Sequence, residues 1–74
     1  MKIEIGVSGR IISGIELGRY VKVIDDAESS GGYLIITSAD ADFKEDGFDA
    51  WVEDEGQLIR YFEEAGWKVN WIIK

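Results

Sequence analysis

The fold is decided by residues 54–66, which read DEGQLIRYFEEAG. Asp54 and Gln57 have the spacing of a capping box, in which the aspartate accepts from a helical N–H and the glutamine reaches back. Gly66 is the residue type that most often ends a helix, because it adopts the left-handed conformation without a steric penalty. The stretch therefore predicts one helix over about residues 55–65.

The predicted helix and the strand after it supply much of the core. Leu58 and Phe62 lie four residues apart in the sequence and so share one helix face. After the helix, large apolar side chains alternate at the period of a strand, at Trp67, Val69, Trp71 and Ile73. We expect Trp67 and Trp71 to be buried beneath the helix.

The chain before the helix predicts β-structure, because apolar and β-branched residues alternate there with polar ones. The predicted strands cover about residues 3–7, 19–25, 33–37 and 48–53, and the segment 11–17, broken by Gly14, predicts a further, poorly defined strand. Glycines predict the turns between them: one at Ser8-Gly9-Arg10 and a clearer one over residues 26–32, which contain paired glycines.

These elements predict an α+β fold in a single domain, residues 1–74. We expect a mostly antiparallel sheet of four to five strands in the order β-β-β-β-α-β, with the helix at about 55–65 packed on one face. One helix cannot cover both faces, so the other face is left to water or to a partner. A competing interpretation is one helix over about 49–65, because Trp51, Leu58 and Ala65 also recur at helical spacing.

Composition excludes several classes of function. The chain has no cysteine and no histidine, which removes thiolate zinc sites and the common nucleophile–base pairs. Carboxylates could act as acid and base, but clustered surface acids explain them without chemistry, so we predict no enzyme and no cofactor. The N-terminus has no signal-peptide pattern, no segment is apolar enough to span a bilayer, and we expect a cytoplasmic protein.

The acid is concentrated in the middle of the chain. Ten of the fifteen carboxylates lie between Asp40 and Glu64, with only Lys44 and Arg60 to offset them, so this segment sums to −8 while the whole chain sums to −7. Direct binding to nucleic acid or anionic lipid is unfavourable at this charge. An acidic field of this kind instead favours a basic protein partner.

Residues 42–53 come close to a calcium-binding loop. With Asp42 at the first position, Asp46, Gly47 and Glu53 fall at the fifth, sixth and twelfth. Lys44, however, stands where a third oxygen ligand is needed. A solvated acidic loop is the favoured interpretation, with a weak, non-specific Ca²⁺ or Mg²⁺ site as the alternative, and no metal site is predicted.

Trp51 is the aromatic residue most suited to binding. If residues 48–53 form a strand with Phe48, Ala50 and Val52 inward, then Asp49, Trp51 and Glu53 form a row on the other face. A tryptophan between two carboxylates is typical of a hot spot for an Arg- or Lys-rich partner. The alternative is that Trp51 packs into a second small core with Tyr20 or Tyr33.

Residues 31–71 resemble small acidic bacterial proteins of the immunity type, which neutralise polymorphic toxins. The resemblance rests on the pattern Phe48-Asp49-x-Trp51-Val52-Glu53 leading into a helix with Tyr61-Phe62, together with the preceding Gly31–Ile36 strand and the final Trp67–Trp71 strand. It implies an inhibitor that binds a toxic enzyme, often a basic nuclease, through acidic and aromatic side chains. It implies no catalytic residues.

Our leading hypothesis is a non-enzymatic protein-binding module that docks an acidic–aromatic surface onto a basic partner. Trp51, with Phe43 and Phe48, would supply the buried anchor. The predicted partner-binding residues are Asp40, Asp42, Phe43, Glu45, Asp46, Asp49, Trp51, Glu53, Asp54 and Glu55. Two alternatives stay open: a phage-type nucleic-acid mimic whose carboxylates replace phosphates, and a structural subunit, monomeric or homodimeric, that associates through the uncovered sheet face.

Overall fold

The computed structural model describes residues 3–26, 28–29, 31–40 and 47–71. Within them the chain forms five strands and one helix: β1 (Ser8–Ser13), β2 (Tyr20–Asp26), β3 (Gly32–Ser38), β4 (Gly47–Val52), α1 (Glu55–Ala65) and β5 (Lys68–Trp71). The predicted α+β fold and the order β-β-β-β-α-β are confirmed. The competing helix over 49–65 is wrong, because Gly47–Val52 pairs with β3 as a strand.

The five strands form one antiparallel sheet in the spatial order β4-β3-β2-β1-β5. The first four strands are neighbours in sequence and in space. Helix α1 then carries the chain from β4, at one edge, to β5, at the other. The crossing lays α1 over one face of the sheet and makes β4 and β5 the two edge strands.

The core lies between α1 and the sheet, and Phe62 is at its centre. Phe62 is 1% exposed and meets Trp67 edge-to-face, with ring centroids 4.9 Å apart. It also stacks on Trp71 at 6.2 Å. The other buried apolar residues are Ile11, Val21, Val23, Ile35, Val52, Leu58 and Trp67. Trp67 is buried as predicted, whereas Trp71 is half-buried at the end of β5.

The predicted helix caps are confirmed at both ends. The Gln57 N–H donates to Asp54 Oδ1 at 2.9 Å, and Gln57 Oε1 accepts from the Glu53 N–H at 2.9 Å. At the other end Gly66 has φ 70° and ψ 25°, and its N–H donates to the Glu63 carbonyl. The caps satisfy backbone groups that a helix otherwise leaves unpaired, so local sequence alone suffices to place both ends.

We expect Asp54→Ala to lower the free energy of unfolding by about 1 kcal/mol, because the Gln57 N–H loses its acceptor. Urea denaturation followed by circular dichroism measures the loss. Asp54→Asn is the matched control, since an asparagine caps about as well as an aspartate. An Asp54→Ala variant as stable as the parent would show that the cap contributes nothing.

Two predictions for the N-terminal region are wrong. Ser8-Gly9-Arg10 is not a turn but the first half of β1, where Gly9 pairs with both Val21 and Trp71. A Cβ on Gly9 would lie 2.7 Å from Trp71 Cε3, so this glycine permits close packing inside a strand rather than chain reversal. The predicted strand over 3–7 is reduced, within the described residues, to one bridge between Ile5 and Val23.

Candidate protein-binding surface

The sheet face opposite α1 carries a row of apolar side chains that ends at Trp51. Strand register pairs Ile24 with Leu34 and Leu34 with Trp51, so the three form one row across β2, β3 and β4. Trp51 is 47% exposed and Asp49 is exposed. The indole is therefore on the outside of the protein, as the strand pattern predicts, whereas its role in binding stays a prediction.

Gly32 provides the seat for the Trp51 ring. A Cβ built on Gly32 would lie 2.8 Å from both Cε2 and Cζ2 of Trp51, so the indole lies directly over the glycine backbone. The ring is thus held against the sheet, while Trp51 as a residue stays 47% exposed. An aromatic side chain ordered in advance loses less conformational entropy when a partner covers it.

The alternative small core around Trp51 does not follow from the strand register. Tyr33 pairs with Val52, which is buried on the α1 side, so Tyr33 belongs to the other face. Tyr20 pairs with Ser38 and so lies two rows from Trp51 along the sheet. Neither tyrosine stands in the row that holds the indole.

The protein surface around Trp51 is acidic. Asp49, Glu53, Asp54 and Glu55 are all exposed, and residues 47–59 contain no lysine or arginine. The nearest base in the sheet register is Lys22, which shares a row with Asp49 but lies two strands away, about 9–10 Å at ordinary strand spacing. A base at that distance leaves the local negative potential largely in place.

The predicted binding residues differ in their structural settings. Asp42, Phe43, Glu45 and Asp46 lie outside the described residues. Asp40 is half-buried, with its N–H donating to Ser38 Oγ at 3.2 Å, and Asp54 is engaged as the helix cap. Glu55 is in the first turn of α1, where negative charge is favourable. We use the name "β4 surface" for Asp49, Trp51 and Glu53 together with Leu34 and Ile24.

Sequence reasoning missed three residues of this surface or its support: Ile24, Leu34 and Gly32. The sequence predicts a strand over residues 33–37, which include Leu34. Its division into two faces was visible in the sequence, since Leu34 and Ile36 alternate with Ile35 and Thr37. The pairing partner that puts Leu34 beside Trp51 carries no comparable signal.

A second cluster joins the β1–β2 loop to the end of α1. The Ile15 N–H donates to the Ala65 carbonyl at 3.0 Å, and the Trp67 indole N–H donates to the Ile15 carbonyl. Beside this loop is an open cleft of about 230 Å³ lined by Ile15, Glu16, Tyr61, Glu64, Ala65 and Trp67. The contacts hold the loop on the helix.

Glu16 is the acidic centre of that cluster. Its Oε1 lies 2.9 Å from Arg19 Nε and accepts from Thr37 Oγ1 at 3.3 Å. Glu16 also has φ 65°, a conformation that costs a non-glycine residue about 1 kcal/mol. These contacts of the carboxylate offset the strained backbone. These contacts give the Glu16 carboxylate a structural role.

Burial, and secondly the negative charge of Glu16, raise the pKa of Tyr61 above its ordinary value of 10.0. The unfolded chain therefore loses this proton at lower pH than the folded chain. We expect the contribution of the Tyr61 hydroxyl to the free energy of unfolding to be complete below pH 10.0. That contribution should be lost as the pH rises beyond this value. Urea unfolding across the alkaline range should show a steeper loss for the parent than for Tyr61→Phe. Equal slopes would contradict the shift.

Two tests of the described part of the chain are negative. No group of three or more acidic, histidine or cysteine side chains there comes together in a way that could hold a metal ion. No helix of the described residues is long and apolar enough to cross a membrane. Of the calcium-like segment, Asp42 to Asp46 lie outside the described residues, and Gly47–Val52 is paired as β4.

Comparison with protein-family models, with curated proteins and with solved structures returns no significant match. The resemblance to toxin-immunity proteins therefore stays a prediction. Function has to be argued from the β4 surface itself.

Proposed function

We propose that this chain is a non-enzymatic binding protein that docks its β4 surface onto a cationic site of a protein partner, in the manner of an inhibitor or immunity protein. The observation that carries the proposal is the position of Trp51: 47% exposed, seated on Gly32 and next to an exposed carboxylate at Asp49. The proposal is for a cytoplasmic protein that acts without a cofactor and without direct contact to nucleic acid.

Each component of the surface has a separate physical task. A tryptophan supplies a large apolar area with few rotatable bonds, which is why it is enriched among residues that dominate binding energy. Leu34 and Ile24 extend the apolar surface from the indole across β3 and β2. The surrounding carboxylates attract a basic partner over a distance and exclude acidic ones, which affects association rate and specificity more than affinity.

We expect Trp51→Ala to weaken binding by about 2–4 kcal/mol, because it removes the anchor and leaves an apolar depression over Gly32. Affinity capture at low salt, with the parent and Trp51→Ala as separate baits, identifies the partner. Calorimetry with the captured protein then measures the binding free energy of each variant. Leu17→Ala is the matched control, since Leu17 is 65% exposed and lies in the β1–β2 loop, at the end of the sheet where β4 begins, whereas Trp51 is near the other end of β4.

The same complex should form more slowly as salt rises, because ions screen the carboxylates of the β4 surface. Asp49→Asn should lower the association rate and flatten its dependence on salt, without changing the fold. A complex indifferent to both salt and Trp51→Ala would defeat the proposal. So would a Trp51→Ala variant that fails to fold, because the indole would then be a core residue.

A second candidate is self-association, and the row Ile24–Leu34–Trp51 is the observation that favours it. The row is apolar and lies on the face that α1 leaves uncovered. Light scattering over a wide range of protein concentration distinguishes the two candidates. A monomer mass at every concentration removes self-association and leaves docking to a different protein.

A further inference from the structure

Strand β4 is an edge strand of the described sheet. It pairs with β3 through six consecutive residue pairs with no shift of register, and no other described strand lies on its outer side. In an antiparallel pair, alternate residues of each strand direct both N–H and C=O away from the partner strand. The outer side of β4 therefore carries a regular row of backbone donors and acceptors.

The opposite edge is different. Strand β5 begins with Lys68 and pairs with β1 through a register shift between Ile11 and Ser13. Charged side chains, lysine above all, and irregular pairing are features by which proteins discourage further strand addition. Strand β4 has no lysine, no proline and no irregularity, and its one charged residue is Asp49, which repels an acidic strand and attracts a basic one. The contrast indicates that, among the described residues, the β4 edge is the one better suited to accept a basic strand.

We propose that an extended, cationic segment of the protein partner adds to the outer edge of β4 as a further strand. The inference rests on the proposed function and names its binding mode. Side chains of an added strand would alternate like those of β4, so that one set of them falls on the face that carries Asp49 and Trp51. Residues opposite these two would be a lysine or arginine and an apolar residue, at positions i and i+2.

The segment to either side of that pair is also defined. Glu53 is exposed directly after β4, so a second cation at i+4 completes the pattern cation-x-apolar-x-cation. Opposite charges paired across strands are favourable, and an aromatic residue pairs well with a β-branched one. The intervening positions face the α1 side of the sheet, next to half-buried Ala50 and buried Val52.

A second copy of this chain fits the same edge poorly. In the antiparallel self-pairing that brings Trp51 opposite Trp51, Asp49 of one copy stands opposite Glu53 of the other. Like charges directly opposite each other destabilise a strand pair. Each copy also brings a net charge of −7. Charge complementarity therefore selects a basic segment over self-association at this edge.

The test uses the full chain and a synthetic peptide with the central sequence Lys-Thr-Ile-Thr-Lys. Two N-methylated versions carry methyl groups on alternate backbone nitrogens, one version on each alternate set. Only one set would face β4, so one version should bind at least about tenfold more weakly while the other stays close to the parent peptide. Hydrogen exchange should slow at alternate amides of β4 when the parent peptide is present.

A control peptide of identical composition, with the two lysines adjacent, separates strand pairing from plain charge attraction and should bind more weakly. Equal binding of both N-methylated peptides, or unchanged exchange in β4, would overturn edge addition. So would an absence of binding by the parent peptide at millimolar concentration. In each of these cases the proposed function would still stand if capture of a basic protein depended on Trp51. If that capture also failed, both edge addition and the proposed function would be wrong.

Discussion

Phe62→Ala is expected to lower the free energy of unfolding by about 3–5 kcal/mol, the usual range for truncating a fully buried aromatic residue. Phe62 is 1% exposed and contacts the rings of both Trp67 and Trp71, so the cavity would open at the junction of α1 and β5. A domain of this length has a total stability of only about 4–11 kcal/mol. The substitution should therefore leave a substantial unfolded population at physiological temperature.

Chemical denaturation monitored by tryptophan fluorescence measures the effect. Arg60→Ala is the matched control, because Arg60 is in the same helix, two residues away, and is exposed. We expect the control to change stability by no more than about 0.5 kcal/mol. If Phe62→Ala cost no more than its control, the helix would not be packed on the sheet as described.

Gly14→Ala is expected to cost about 3 kcal/mol or more, because two penalties combine at one position. Gly14 has φ 96°, where an L side chain is strained. A Cβ there would also lie 2.5 Å from the carbonyl oxygen of Ala65. That carbonyl accepts from the Ile15 N–H, so relief of the clash would break the bond that holds the β1–β2 loop on the end of α1.

Gly18→Ala separates the two penalties. Gly18 is in the same loop and has almost the same dihedral angle, φ 93°, but nothing lies within 4 Å of its Cβ position. The free energy of unfolding of Gly18→Ala should fall only by the conformational penalty, about 1–2 kcal/mol. The difference between the two midpoints of thermal unfolding then measures close packing at Gly14. Equal losses would show that the loop moves freely away from the helix.

The helix could be predicted to the residue because its signals are local. Asp54 and Gln57 meet within one turn, and Gly66 ends the helix through its own backbone conformation. Glycine in β1 could not be interpreted in the same way. Gly9 permits the approach of Trp71, a residue more than sixty positions later, and nothing near Gly9 in the sequence distinguishes that need from a turn.

The candidate site divides along the same line. Alternation within residues 48–53 predicts that Asp49, Trp51 and Glu53 lie together, since alternate residues of a strand share one face. The Gly32 seat and the Leu34 neighbour depend on pairing register between β3 and β4, which is a property of two strands rather than one. Residues 42, 43, 45 and 46 lie outside the described part of the chain and stay predictions.

By itself, then, the sequence determined the element order, the helix ends and the acidic character around Trp51, because these depend on contacts or charges within a few residues. Only the tertiary structure decided that β4 is an edge strand. The reason is the path of α1, which crosses the whole sheet and delivers β5 to the far side of β1, leaving the outer side of β4 without a described neighbour.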